Sequence, residues 1–229
     1  MDIVIAPQGS LLIPSYRVKA VKRDFAIEMA NFMEIADGIG LAAPQVGYNV
    51  RLIAIHASQA KFGLSKSAVF HEGKNVGLVL ANPEILATTF VQGDLVKGEA
   101  CLSLPKAPTA RVQRFAEIKL KYNTIEGDEV TEWIRGILAT IVQHEIDHLD
   151  GILYPARSKS YNAVYDTYSK LHQIDRQKMD RFHEVMIRNI KQPGLGVEYS
   201  REDFHKFCKD LDIMQAEIDL LWQRIQDFQ

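Results

Sequence analysis

The stretch that decides how this chain folds is Gly136-Ile137-Leu138-Ala139-Thr140-Ile141-Val142-Gln143-His144-Glu145-Ile146-Asp147-His148. Its second half contains His-Glu-x-x-His, in which His144 and His148 are four residues apart. On an α-helix, residues at this spacing point in nearly the same direction, one turn apart, so two imidazoles can bind one metal ion. Glu145 then lies close enough to take a proton from a water at that metal. The motif therefore predicts a metal-binding helix.

The first half of the same stretch predicts where this helix lies. Residues 136–142 are almost all apolar, so the helix is expected to be buried. The alternative for a bare match to the motif is an exposed, charged helical turn, and the apolar run argues against it. Buried charged groups need partners or a metal ion, so burial strengthens the prediction of a site.

Composition limits the class of protein. The chain has 229 residues, of which 47% are hydrophobic and 24% charged, as is usual for soluble globular proteins. A net charge of −2 gives no basic field for a membrane surface or for sequence-specific nucleic-acid binding. Apolar runs are shorter than the roughly 18 residues that a membrane span needs. The first residues lack the pattern of a signal peptide, so the expected location is the cytoplasm.

Hydrophobic periodicity predicts helices and strands around the motif helix. We expect an extended arm over residues 1–12, a helix from Tyr16 to Asp37 and a motif helix from about Arg135 to Leu149. The predicted strands are 51–56, 76–81, ended by Asn82-Pro83, then 88–97, 117–122 and 130–134. The expected fold class is α+β, with antiparallel β-sheets packed around a central helix that carries His-Glu-x-x-His.

The last third of the chain has a different character. Residues 162–191 predict one long helix, which Pro193-Gly194-Leu195-Gly196 ends, and a second helix follows. Apolar residues of the second helix alternate at spacings of three and four, typical of a heptad seam: Phe204, Phe207, Leu211, Met214, Ile218, Leu221, Ile225 and Phe228. A C-terminal helical hairpin can bury this seam against its partner helix, against the catalytic body or in a homodimer. The expected division is a catalytic domain at 1–160 and a hairpin extension at 161–229.

A catalytic metal site needs a third ligand beside His144 and His148. Tetrahedral catalytic zinc takes three protein ligands and leaves one position open. Asp150-Gly151 follows the motif, and the third histidine of the metzincin pattern is absent, so that pattern fails. Cys101 is the attractive candidate, because a thiolate is a strong ligand and polar Glu99 and Ser103 flank it. Thiolate and imidazole suit zinc, iron, nickel and cobalt alike.

Three segments together resemble the peptide deformylase family. They are Gly38-Ile39-Gly40-Leu41-Ala42-Ala43-Pro44-Gln45, then Glu99-Ala100-Cys101-Leu102-Ser103, then Gln143-His144-Glu145-Ile146-Asp147-His148-Leu149-Asp150-Gly151. They follow the family's order, and the resemblance covers roughly residues 1–160. Ala100 departs from the glycine that is usual in the family's second motif.

The resemblance implies a role for each site residue. Cys101, His144 and His148 would bind the metal, and Glu145 would be the general base and later the acid. Gln45 and the Leu102 N–H would stabilise an oxyanion. The backbone around Ile39 and Gly40 would pair with a peptide, and Ile39, Ile141 and the face of His144 would line a methionine pocket.

The resemblance also implies the substrate and the metal. The expected reaction removes the N-formyl group from the initiator methionine of nascent polypeptides and releases formate. The expected cofactor is one divalent ion, Fe2+ in the cell, with Zn2+, Ni2+ or Co2+ in preparations.

Several alternatives remain open at this point. Ala100 and the unusual C-terminal part leave room for a metallohydrolase of the same fold that acts on another small amide. The hairpin could also be a docking module for the ribosome or another protein. Arg111 and Arg114 could brace the cysteine segment or bind a substrate carboxylate, and a brace is favoured. Asp147 could orient a neighbour of the metal or lie in a surface ion pair.

Overall fold

The computed structural model describes residues 1–89, 98–191 and 200–229. Helices and strands follow one another in an α+β order. The helices are α1 (Arg23–Ile35), α2 (Gly136–Leu149), α3 (Tyr161–His172), α4 (Arg176–Lys191), α5 (Arg201–Asp210) and α6 (Gln215–Gln226). The strands are β1 (Gly40–Ala42), β2 (Leu52–Ile55), β3 (Ala68–His71), β4 (Lys74–Thr88), β5 (Glu117–Asn123) and β6 (Glu129–Arg135).

The described strands form one antiparallel sheet in the order β1-β2-β4-β5-β6, with β3 paired to β4. Side chains alternate between two faces of a strand, and β5 follows this rule: Ile118, Leu120 and Tyr122 are fully buried. They pack with the apolar side of α2, including Leu138 and Val142. The fold class is therefore the predicted one, with the motif helix against the sheet.

Two predicted elements change their bounds, and a third lies mostly outside the described residues. The first helix begins at Arg23 rather than Tyr16, because Tyr16 forms an extended bridge with Val50. Strand β4 continues through Asn82, where the prediction ended it. Asn82 takes a positive φ of 51°, and its side chain bonds the backbone N–H and C=O of Val18. The predicted strand 88–97 lies, from residue 90 onward, outside the described residues.

Two strands were missed in regions predicted as loops. β1 lies within the glycine-rich segment, and β3 lies within residues 57–75. Both have few residues, so their side-chain pattern is too short to indicate a strand, and only their pairing with β2 and β4 makes them strands.

The C-terminal part has four described helices where two were predicted. Gln173, with φ 52°, separates α3 from α4, and Asp212, with φ 57°, separates α5 from α6. The heptad interpretation of one continuous helix is therefore wrong, and Met214 is 74% exposed. Ser200 does begin α5, and its hydroxyl accepts the N–H of Asp203, as a capping residue does. The predicted break at 193–196 lies outside the described residues.

The apolar faces of these helices pack against the rest of the chain. Phe204 and Trp222 lie edge-on or tilted around Tyr16, and Phe228 packs on Phe25 and Tyr48. Residues of α3 and α4 form a second cluster with Leu11, Leu12 and Leu104, among others Tyr165, Tyr168, Phe182 and Met186. Most of the seam packs against the catalytic body, and part of it contacts the preceding helices, since Leu211 packs on the α3–α4 cluster and Arg188 lies 5.1 Å from the centre of the Phe207 ring. Within the described residues, the helices are all too short or too polar to cross a membrane.

Candidate metal centre and active site

Helix α2 presents the three motif side chains to one side of a cleft. Glu145 and His148 are 4% and 1% exposed, and the side chain of His144 is 11% exposed. The helix begins at Gly136, whose φ is positive, and ends at Asp150-Gly151, where Gly151 has a φ of 69°. A glycine tolerates this left-handed conformation, so the sequence predicts the end of the helix directly after the motif.

Cys101 meets the two histidines as predicted. Its sulfur lies 3.2 Å from Nε2 of His148, and the ligand atoms of Cys101, His144 and His148 all lie within 4.8 Å of one another. One thiolate and two imidazoles that converge in this way fit a divalent transition-metal ion. Glu145 Oε2 and His148 Nδ1 are buried without a protein hydrogen-bond partner, as polar atoms are where a solvent molecule or other group completes a site.

The electrostatics favour a thiolate at Cys101. Burial would raise the pKa of its thiol, but the charge of His148 and hydrogen bonds from both histidines lower it to about 5. The pKa of the neighbouring Glu145 is shifted in the opposite direction. Burial raises the pKa of Glu145 to about 7, and the positive charges of His144 and His148 oppose this shift only partly. A carboxyl group with such a pKa can both accept and return a proton near neutral pH.

A buried carboxylate orients His144. Glu99 Oε2 accepts a hydrogen bond from His144 Nδ1 at 2.7 Å, which leaves Nε2 as the nitrogen that faces the metal position. Burial would raise the pKa of Glu99, but hydrogen bonds from Arg114 and His144 lower it to about 2. The sequence marked Glu99 only as a polar neighbour of Cys101. An acidic residue two positions before a proposed ligand is the signal that could have identified it.

Arg114 connects this carboxylate to α2. Its Nε and Nη2 donate to Glu99 at 2.8 and 2.9 Å, and its Nη1 donates to Asp147 at 2.6 Å. Asp147 also accepts from Arg157 at 2.7 Å, and its pKa is lowered because these two guanidinium groups outweigh the effect of burial. Arg114 thus braces the cysteine segment, and Asp147 is a buried member of the same network rather than a surface residue. Arg157 was not predicted.

Gln45 lies on the other side of the cysteine. It belongs to a 3-10 turn at Ala43–Val46 that follows β1. Its Oε1 accepts the N–H of Ala42 at 2.8 Å, so its Nε2 faces Cys101 Sγ at 3.5 Å and Ser103 Oγ at 3.2 Å. The carboxamide is therefore held with its donor toward the cleft.

A cleft of about 500 Å³ joins the three motif segments. All the predicted site residues except His148 line it, together with residues that the sequence did not single out: Asp37, Gly38, Gly98, Pro105, Lys106, Ile137 and Thr140. Ile39 and Ile137 are about half exposed at its mouth, with 48% and 46% of their surface accessible.

Gly40 has a steric reason to be glycine. A Cβ built on Gly40 would overlap Oε1 of Glu145 and would lie 2.9 Å from its Cδ. Since the φ of Gly40 is not in the left-handed region, the constraint is space rather than backbone conformation. The first motif and the glutamate of the third motif are therefore in direct contact.

Comparisons with known proteins agree with this site. A sequence model of the family described as polypeptide deformylase matches residues 1–163. Peptide deformylase 2 of Bacillus subtilis is 35% identical over 137 residues, which are 60% of this chain and 68% of that protein. A peptide deformylase of Chlorobium phaeobacteroides is 36% identical over 170 residues, 74% of this chain and 77% of its own length.

A solved structure agrees as well. The crystal structure of a peptide deformylase from Synechococcus elongatus in complex with actinonin superimposes with a TM-score of 0.64 at 29% identity, covering 78% of this chain and 90% of that one. The family match over residues 1–163 includes Cys101, His144, His148 and the described sheet. This chain therefore belongs to the peptide deformylase family.

Proposed function

We propose that this protein hydrolyses the N-formyl group of formylmethionyl peptides and releases formate. One observation carries the proposal: Cys101, His144, Glu145 and Gln45 converge in a single cleft beside β1, the end strand of the described sheet. Membership of the family supports the hydrolysis reaction. The formylmethionyl peptide is our proposal for the substrate.

Cys101, His144 and His148 would hold one divalent metal ion. When bound, this ion would supply Lewis acidity, which makes a water nucleophilic near neutral pH and polarises a carbonyl oxygen. The donor set alone suits several metals, and ferrous iron in the cell, with zinc, nickel or cobalt in preparations, is the proposed set.

Glu145 would move the proton. Its carboxylate accepts a proton from the attacking water and then delivers it to the amine nitrogen as the formyl C–N bond breaks, so that formate and a free amino terminus form. The raised pKa of about 7 supports this role, because the group is then protonated and deprotonated with similar ease.

Gln45 and Leu102 would stabilise the oxyanion. The Nε2 of Gln45 already points to the cleft, because its Oε1 is engaged by Ala42. The backbone N–H of Leu102 directly follows the cysteine, so both donors lie next to the metal position. The loss of one such donor typically lowers the rate by about 10²–10³-fold.

The substrate peptide would pair with β1. This strand stands at the end of the described sheet order, so an added strand would pair with its outer edge around Ile39 and Gly40, where the Ile39 carbonyl already accepts the N–H of His56. Ile39 and Ile141 line the same cleft as His144 and would contact the methionine side chain.

The decisive experiment measures metal content and formate release on one sample of full-length protein. We expect the iron-loaded protein to release formate from formyl-Met-Ala-Ser, and to leave acetyl-Met-Ala-Ser and free Met-Ala-Ser intact. Metal-loaded protein that releases no formate would contradict the substrate assignment. Acetate release would point to another amide hydrolase instead.

The organisation of the chain is also a proposal. We propose a catalytic domain at 1–160, an extension at 161–229 and a cytoplasmic location, where nascent chains are made. Ribosome association and a homodimer through the C-terminal helices remain predictions. Light scattering of the full chain tests the dimer, and a monomer mass excludes it. The 1–160 truncation would expose Tyr16, Phe25 and Tyr48, so we expect it to aggregate.

A further inference from the structure

Side chains of the C-terminal helices bond backbone carbonyls within or two residues after each of the three motif segments. His172 Nε2 of α3 lies 3.0 Å from the carbonyl oxygen of Pro105, which lines the cleft. Asn189 Nδ2 of α4 donates to the carbonyl of Gly151, at the end of the motif helix, at 3.1 Å. Arg224 Nη1 of α6 donates to the carbonyl of Gly47 at 2.8 Å. These contacts join the end of the chain to the site.

The contact of Arg224 lies at the end of the turn that carries Gln45. Gly47 ends the 3-10 turn that contains Gln45, and it takes a positive φ of 79°. The N–H of Gly47 closes the turn on Pro44, and the N–H of Tyr48 bonds the carbonyl of Ala43. A guanidinium bound to the Gly47 carbonyl therefore holds the peptide unit on which this turn ends.

Arg224 is itself held from two sides. Its guanidinium carbon lies 4.6 Å from the centre of the Tyr48 ring, in a cation-π contact. A Cβ on Gly47 would overlap its Nη1, so the two groups are packed together. Ile225 and Leu221 on the same helix are buried in the main core, which fixes the position of α6.

We infer that Arg224 is a positioning residue for the carboxamide of Gln45. It keeps the Ala43–Val46 turn in the conformation that directs Nε2 of Gln45 toward Cys101. Small displacements of a group that stabilises charge cost far more in turnover than in binding, because the group acts in the transition state. This inference rests on the proposed role of Gln45 and gives the C-terminal extension a part in catalysis.

The test compares Arg224→Met with Gln226→Met in the full-length, metal-loaded protein. Gln226 is an exposed residue of the same helix and serves as the matched control. We expect Arg224→Met to lower kcat for formate release about tenfold, with KM within about twofold. Arg224→Lys, which keeps a charged donor, should recover to within about threefold of the parent. The control should leave both constants unchanged.

A double-mutant cycle with Gln45→Ala identifies the route of the effect. If Arg224 acts through Gln45, Arg224→Met should change kcat by less than about twofold in the Gln45→Ala background. The same tenfold loss in both backgrounds would overturn the inference. An unchanged kcat in the single variant would also overturn it.

Hydrogen exchange supplies a readout that does not depend on activity. In Arg224→Met we expect the amides of Gly47 and Tyr48 to exchange about fivefold faster, while those of α2 keep the parental rate. Equal acceleration in α2 would indicate general destabilisation and would contradict positioning. If the methionine variant does not fold, Arg224→Gln, which is too short to reach Gly47, carries the same measurements. A parent enzyme that releases no formate contradicts the proposed function, and hydrogen exchange still decides whether Arg224 holds the turn.

Discussion

The motif helix and the C-terminal helices place their charged residues in opposite ways. On α2, Glu145 and Asp147 are 4% and 5% exposed. On α5 and α6, the ion pair of Arg201 and Asp219 has side chains that are 66% and 52% exposed, with 3.8 Å between charged atoms. Buried charges cost free energy unless neighbours compensate them, whereas exposed pairs contribute little.

This difference in burial distinguishes the candidate site around α2 from the C-terminal helices. The charges near α2 are retained at a desolvation cost and have specific partners, as Glu99 and Asp147 have in Arg114. Charges on the C-terminal helices mainly keep one face in water while the other face packs. Arg224 is the exception, because its guanidinium bonds the backbone at Gly47 beside the site.

Replacement of Glu145 should separate chemistry from metal binding. We expect Glu145→Ala to lower formate release about 10²–10⁴-fold, because the proton carrier is lost. Metal content should stay at the parental level. The matched control is Glu184→Ala, which removes an exposed glutamate of α4 and should leave both measurements unchanged. Loss of metal together with activity would contradict the assignment of Glu145.

Replacement of Arg114 should show the cost of an uncompensated buried charge. Arg114→Met leaves the carboxylates of Glu99 and Asp147 buried with one fewer guanidinium. We expect the free energy of unfolding to fall by about 3–5 kcal/mol, measured by urea denaturation of the metal-loaded protein. A loss below about 1 kcal/mol would mean that this network behaves like an exposed ion pair.

Gly40→Ala should displace the carboxyl group of Glu145 without replacing that residue. The new methyl group would push the Glu145 carboxyl out of place, since the two overlap in the present packing. We expect formate release to fall about 10²-fold, with metal content unchanged. Full activity in this variant would show that Glu145 can shift freely and would weaken the proposed geometry.

Arg201→Ala should have the smallest effect. Its ion pair with Asp219 is long and exposed, so we expect the free energy of unfolding to change by less than about 1 kcal/mol. Formate release should remain at the parental rate, and added salt should reduce even this small difference. A change as large as that of Arg114→Met would remove the contrast between the two regions.

The catalytic motifs were predictable because they are local. The four-residue spacing of His144 and His148 places them on one side of a helix, whatever surrounds it. Strands 117–122 and 130–134 were predicted from local periodicity for the same reason, and the structure confirms both as β5 and β6. Cys101 was the attractive third ligand from its chemistry and its polar neighbours, and its sulfur does meet the histidines.

Other features were not predictable because they depend on partners that are distant in sequence. The C-terminal helices break at Gln173 and Asp212, two polar residues that can adopt positive φ but do not indicate by themselves that they will. β1 is a strand through its pairing with β2, and three residues carry too little pattern to predict it. The apolar spacing of residues 204–228 correctly indicated a buried face. It did not indicate that this face is divided between two helices.

Local sequence thus determined the motif helix, its two histidine ligands and the end of α2 at Gly151, since each follows from spacing or backbone preference within a few residues. Long-range packing decided which carboxylate bonds His144, which guanidinium supports it, and that Arg224 bonds the carbonyl of Gly47, 177 residues before it in the chain. The physical reason is that burial strengthens the electrostatic interactions and hydrogen bonds of these charged groups and carbonyl oxygens. Burial is a property of the folded chain as a whole, and neighbouring residues in the sequence do not specify it.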